Sequence, residues 1–150
     1  MGQYYHVVNL DKREYLHPHR MGDGLKLLEF GSSGDGTMLG LAVLLADGNG
    51  RGGGDLHSEH PIIGSWAGDR IVIAGDYADE GNYIAAEDIT PEMVEQIRDD
   101  YGDEEKEVTH ETITLYTLSC VSFREVSEEV RAALQGDQWC AENMRAGFGS

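Results

Sequence analysis

Residues 3–10 (QYYHVVNL) are dense in aromatic and β-branched side chains. After the polar Asp11-Lys12-Arg13, the run Glu14-Tyr15-Leu16 resumes that character, which predicts a β-hairpin. Pro18 has no N–H for a ladder and restricts His17, so the sheet pattern ends at His17-Pro18-His19. Leu25 to Phe30 (LKLLEF) is apolar, but its period does not decide between a helical turn and a strand. Residues 38–47 (MLGLAVLLAD) predict a helix, capped by Thr37 and stopped before Gly48, that is apolar on nearly every side and therefore central in the core. Arg70 to Ala74 (RIVIA) has the β-branched density of a buried strand.

The second half alternates between helix and polar connection. Thr90-Pro91-Glu92 is a helix start, and Met93, Ile97 and Tyr101 recur every fourth residue opposite Glu95, Asp99 and Asp100. Residues 102–111 form a polar connection. From Thr112 to Arg124, Ile113, Leu115, Val121 and Phe123 stand among mostly polar neighbours, which predicts a half-buried strand or tight hairpin. Ser127 caps a last helix, EEVRAALQ, that ends at Gly136, after which Trp139 and Met144 return toward the core. The fold class that follows is α+β: one compact domain over residues 1–145, with a mainly antiparallel sheet and about three helices, and a disordered tail at 146–150.

Charge narrows the functional classes. The formal net charge is −17, and residues 76–111 carry fourteen acids against two bases. Such an excess repels phosphate backbones and anionic lipid, so neither nucleic acid nor membrane is an expected partner; a basic protein surface is. Acidic surface also serves solubility alone, and the two uses compete for the same residues. The N-terminus has neither the basic nor the apolar region of a signal peptide, and Cys120 and Cys140 form no disulfide framework or zinc pattern, so a cytoplasmic setting is expected.

Candidate chemistry gathers between residues 46 and 79, where eight of the twenty glycines lie. In the run Gly48 to Asp55 (GNGRGGGD), glycine N–H groups can form an anion nest, with Asn49, Arg51 and Asp55 as its polar side chains. That allows a phosphorylated small molecule or nucleotide as ligand, although neither the P-loop nor the dinucleotide spacing is present. Its resemblance to a calcium loop fails, because Arg51 takes a ligand position and Ser58 stands where a bidentate Glu is needed. Asp55, His57 and His60 could hold a divalent metal, with His17 and His19 completing the shell, and an open position there would make a hydrolase; no other cofactor is expected. Trp66, Asp69, Arg70, Asp76 and Tyr77 flank the RIVIA strand and include side-chain types that dominate binding hot spots.

The strings MGQYY, VNLDKREYLHPH, GDGLKLLEF, LLADGNGRGGGD and WAGDRIVIAGDYAD together resemble a group of small proteins of bacteria and their phages. The resemblance covers roughly the first eighty residues and carries no activity across. It implies a cytoplasmic accessory protein encoded by a mobile element. The leading expectation is a non-enzymatic binding protein whose acidic face meets a basic surface. A phosphate-binding pocket at Gly48–Asp55 comes second, and a metal-dependent hydrolase third.

Overall fold

The computed structural model of the protein describes residues 2–101 and 107–143. Its centre is a four-stranded mixed sheet in the order β3-β1-β2-β4, formed by β1 (Tyr5–Asn9), β2 (Glu14–Leu16), β3 (Ile71–Gly75) and β4 (Arg124–Glu125). β1 pairs antiparallel with β2 and β3, and β2 pairs parallel with β4. The expected α+β class and mainly antiparallel sheet are therefore present, with one parallel pair added.

Alternation along β1 sends successive side chains to opposite faces, and each face has its own core. On one face Val7 and Leu16 pack with Phe30, Leu44, Trp66, Val126 and Val130. That layer contains α1 (Leu27–Gly31), α2 (Thr37–Leu45), α5 (Ser127–Gln135) and α6 (Gln138–Asn143). On the other face Val8 and Ala74 pack with Ile97, Leu115 and Leu118, from α3 (Pro91–Tyr101) and α4 (Leu115–Ser122). The sheet is thus a middle layer between two sets of helices.

Helix α2 has the central position its sequence predicts, but its ends are made elsewhere. Buried Asp23 accepts from both the N–H and the hydroxyl of Thr37 at 2.7 Å, so the cap comes from the preceding turn. At its far end the carbonyls of Val43 and Leu44 accept at 2.9 Å from the N–H groups of Gly64 and Trp66, the Val43 carbonyl also accepting from the C-cap Ala46 N–H at 3.5 Å. Gly64 achieves this with φ of +74°, and a Cβ there would stand 2.5 Å from the carbonyl oxygen of Ala46. Gly64→Ala should therefore cost at least about 1–2 kcal/mol from the left-handed backbone, plus the displacement of Ala46, read as a lower urea midpoint.

Four expectations are corrected. Most of Thr112 to Arg124 is not a strand or hairpin, and only Arg124 joins one, in β4: Thr114 caps α4 by accepting from the Thr117 N–H at 3.2 Å, Leu115 and Leu118 bury one side of that helix, and Ile113 is buried just before it. Of the residues that suggested a strand, Ile113 and Leu115 are buried and Val121 and Phe123 only partly so; tertiary packing overrides their propensity. Ser127 does not cap α5; it is the first helical residue, and its hydroxyl accepts from the His17 N–H at 2.9 Å. The segment RIVIA forms β3, yet at the sheet edge with Ile73 exposed, not in its buried centre. Helices beyond the expected three also form, α1, α4 and α6 among them. The side chains of Tyr101 and Trp139, residue Met144 and the expected tail lie outside what is described.

Candidate functional site

The glycine-rich segment closes on itself. Asn49 donates from Nδ2 to the Leu56 carbonyl at 2.9 Å and accepts the Leu56 N–H on Oδ1 at 2.8 Å, a reciprocal clasp like a pair of ladder bonds. Inside it the Asp55 carboxylate accepts from the N–H groups of Gly50 at 3.0 Å and Arg51 at 2.7 Å. Those are the donors an anion would need, and here the chain's own carboxylate holds them. The loop is tied to α6 through Asp137, which accepts from the His57 N–H at 2.6 Å and the Cys140 N–H at 3.0 Å. The same bonds hold the Asp137 carboxyl below its usual range. Asn49→Ala should remove the clasp, whose two bonds contribute about 1–3 kcal/mol to closure. Faster proteolysis between residues 48 and 56, with little change in global melting, is the expected readout.

Between this loop, α2 and α6 lies a cavity of about 820 Å³. Leu39, Val43, Leu56 and Ile63 contribute apolar walls, and Asn49, Asp55, His57, Asp137 and Glu142 contribute the polar ones. Arg51 does not line it, but borders a neighbouring cleft with His57, Ser58 and Glu59. The described lining residues include three carboxylates and no lysine or arginine, and those of Asp55 and Asp137 are already engaged by backbone N–H groups.

Asp55, His57 and His60 are not brought together as a ligand set. Asp55 is turned into its own loop, and His60 accepts the Ile62 N–H on Nδ1 at 3.1 Å. Among the described residues no group of three or more His, Cys, Asp or Glu could hold a metal ion.

The residues flanking β3 separate in the same way. Trp66 is fully buried, its indole N–H donating to Glu14 Oε1 at 2.8 Å, while Arg124 Nε donates to Glu14 Oε2 at 3.1 Å. Asp69 accepts from Asn9 at 2.9 Å and pairs with Lys12; Arg70 pairs with Asp11 at 2.8 Å. Those partners hold both carboxyls below their usual range. Asp76 accepts the Tyr4 N–H at 2.9 Å, and Tyr77 stays exposed. Trp66 and Asp69 are thus structural, whereas Tyr77 remains on the surface.

A histidine cluster under α4 was not legible in the spacing. His6 is buried and stacks against Tyr116, Tyr15 and His17, with ring centroids at 4.2, 4.8 and 4.8 Å. The Ser119 hydroxyl donates to the Tyr116 carbonyl at 2.8 Å, so His6 Nδ1, 3.2 Å from that hydroxyl, must be the donor to it. Nε2 then carries a bare lone pair with no partner among the described residues. Burial, then the charge of His17, pushes His6 down to about 3. Cys120 Sγ lies 3.9 Å from Nδ1, and desolvation followed by Asp100 and Asp76 pushes its thiol up to about 11. Both groups are neutral at pH 7, which is the opposite of an activated thiolate–imidazolium pair.

The charge distribution supplies the remaining candidate. Lys12, Arg20, Arg70, Arg124 and Arg131 pair with Asp69, Glu125, Glu128, Asp11, Glu14 and Glu129, all outside residues 76–111. Into the acidic block itself reaches Arg13, which pairs with Asp88. On α3, Met93, Val94 and Ile97 turn inward while Glu92, Glu95, Asp99 and Asp100 are exposed. No helix among the described residues is long and apolar enough to cross a membrane. No family model, curated protein or solved structure matches this chain.

Proposed function

We propose that this protein is a non-enzymatic binding module that associates with a basic surface of another protein through the acidic segment 76–100. The observation that carries this reading is the pairing pattern: five of the cations are occupied by acids elsewhere in the chain. Among the described residues of the block Arg13 reaches in to Asp88, while Glu92, Glu95, Asp99 and Asp100 face water on α3. Exposed, uncompensated charge steers a partner of opposite sign and sets the rate of encounter more than the final affinity.

Replacing Glu92, Glu95 and Asp99 together by their amides keeps the fold, because all three are exposed, and removes three charges from the face. Captured partner should elute between about 0.05 and 0.5 M salt from the native protein, since screening shortens from about 14 to about 4 Å over that range. The triple variant should release it at lower salt. Capture that is indifferent to both salt and substitution would contradict the reading.

A further inference from the structure

The outer edge of β3 is prepared to accept another strand. In its antiparallel pairing with β1, the Leu10 N–H donates to the Arg70 carbonyl and the Asp76 N–H to the Tyr4 carbonyl. Hydrogen-bonded pairs alternate along such a ladder, so Val72 and Ala74 also face β1, while the backbone groups of Ile71, Ile73 and Gly75 face outward. The Gly75 carbonyl accepts from Ala78 in a turn. For the N–H and C=O groups of Ile71 and Ile73, no partner is found among the described residues.

The two edges of this sheet differ in kind. The opposite edge, β4, has two residues, both charged, which is the usual protection against unwanted pairing. β3 has five residues with no charge, proline or bulge, Ile73 is 40% exposed, and exposed Tyr4 and Tyr77 stand at its far end. An edge of this length without protection suits strand addition. Charge selects the occupant. A second copy would bring another −17 to an edge that runs directly into Asp76, Asp79 and Glu80. We propose that an extended, lysine- or arginine-bearing segment of the basic partner adds beside β3 as a fifth strand. This rests on the functional reading above and names how the partner is held. Alternation assigns apolar residues of that segment to the face carrying Ile71 and Ile73, and cationic residues to the face on which α3 lies.

The test uses the full chain with a synthetic peptide alternating arginine and valine, and the same peptide N-methylated on alternate backbone nitrogens. Ile73→Pro removes one outward donor but no bond to β1, and Ile73→Lys places a charge on an already exposed position. The unmodified peptide should slow amide exchange of Ile71 and Ile73 by about tenfold or more, and N-methylation or either substitution should weaken binding by at least about tenfold. Equal binding of both peptides, unchanged exchange at these amides, unaltered binding by both variants, or concentration-dependent dimerisation through this edge would overturn the inference. Equal but salt-sensitive binding of both peptides would still support the charge-based reading, so the two failures are distinguishable.

Discussion

Trp66→Ala is expected to lower the urea midpoint more than any other single substitution considered. Trp66 is fully buried beside Val7, Leu16, Leu44 and Val130, and it is the largest of the fully buried side chains. Truncating a buried tryptophan costs about 3–5 kcal/mol, against a total stability for such a domain of about 5–15 kcal/mol. A second loss adds to it, because Glu14, itself buried, then has an oxygen without its indole donor. Trp66→Phe helps separate the two effects: it loses the N–H but retains most of the buried volume that Ala removes. Urea unfolding should rank native, Phe and Ala in that order, with the Phe variant still cooperative. A midpoint for Trp66→Ala within error of the native one would remove Trp66 from the centre of this account.

The second large effect is acid sensitivity that begins well above the carboxylate range. In the folded chain burial pushes His6 down to about 3, and burial followed by His19 and Arg20 pushes His17 down to about 4. A histidine with a depressed folded-state pKa binds fewer protons folded than unfolded. Its contribution is complete above the unfolded value near 6.5 and is lost as pH falls toward the folded value. Two such groups imply a loss of at most roughly 3 kcal/mol per pH unit between roughly pH 6 and 4, an upper figure because His17 is partly exposed. Asp11, Asp69, Glu128 and Asp137 have carboxyls held below their usual range, so they lose stability only at lower pH, below their ordinary values. His6→Phe keeps an aromatic ring between Tyr15 and Tyr116 and removes the bare Nε2. Its stability should decline less steeply between pH 6 and 4, by about the share of one histidine. A native slope near zero across that window would contradict the assignment of both rings as neutral.

Local chemistry in the chain announces much of this fold. The hairpin of β1 and β2, the apolar α2, and the proline start and inward Met93 and Ile97 of α3 could all be read from periodicity and turn residues. What could not be read depends on distant partners. Asp23 capping Thr37, Gly64 and Trp66 closing the far end of α2, and Ser127 holding His17 all join residues remote in sequence. Helix α4 was hidden because Val121 and Phe123 have strand-like preferences, and only burial of Leu115 and Leu118 against β1 and β3 decides for helix.

The candidate site was legible in composition more than in geometry. The glycine loop does line a cavity, but its polar side chains Asn49 and Asp55 serve the loop itself, and no spacing rule predicts that a carboxylate will occupy its own anion nest. Trp66 and Arg70 are hot-spot residue types that the fold uses internally, one in the core and one paired with Asp11. His6 gave no signal at all, since an imidazole on a strand looks the same whether it faces water or a stack of aromatic rings.

The central claim is that segment 76–100, with the β3 edge beside it, is where a basic partner lands. Chemical-shift mapping of the full chain with the arginine–valine peptide tests it most directly. The predicted result is a contiguous set of shifts over Ile71–Gly75 and Asp76–Asp100 that fades as salt is raised. Shifts confined to Gly48–Asp55 and Gln138–Asn143, or shifts of the same size at low and high salt, would contradict it.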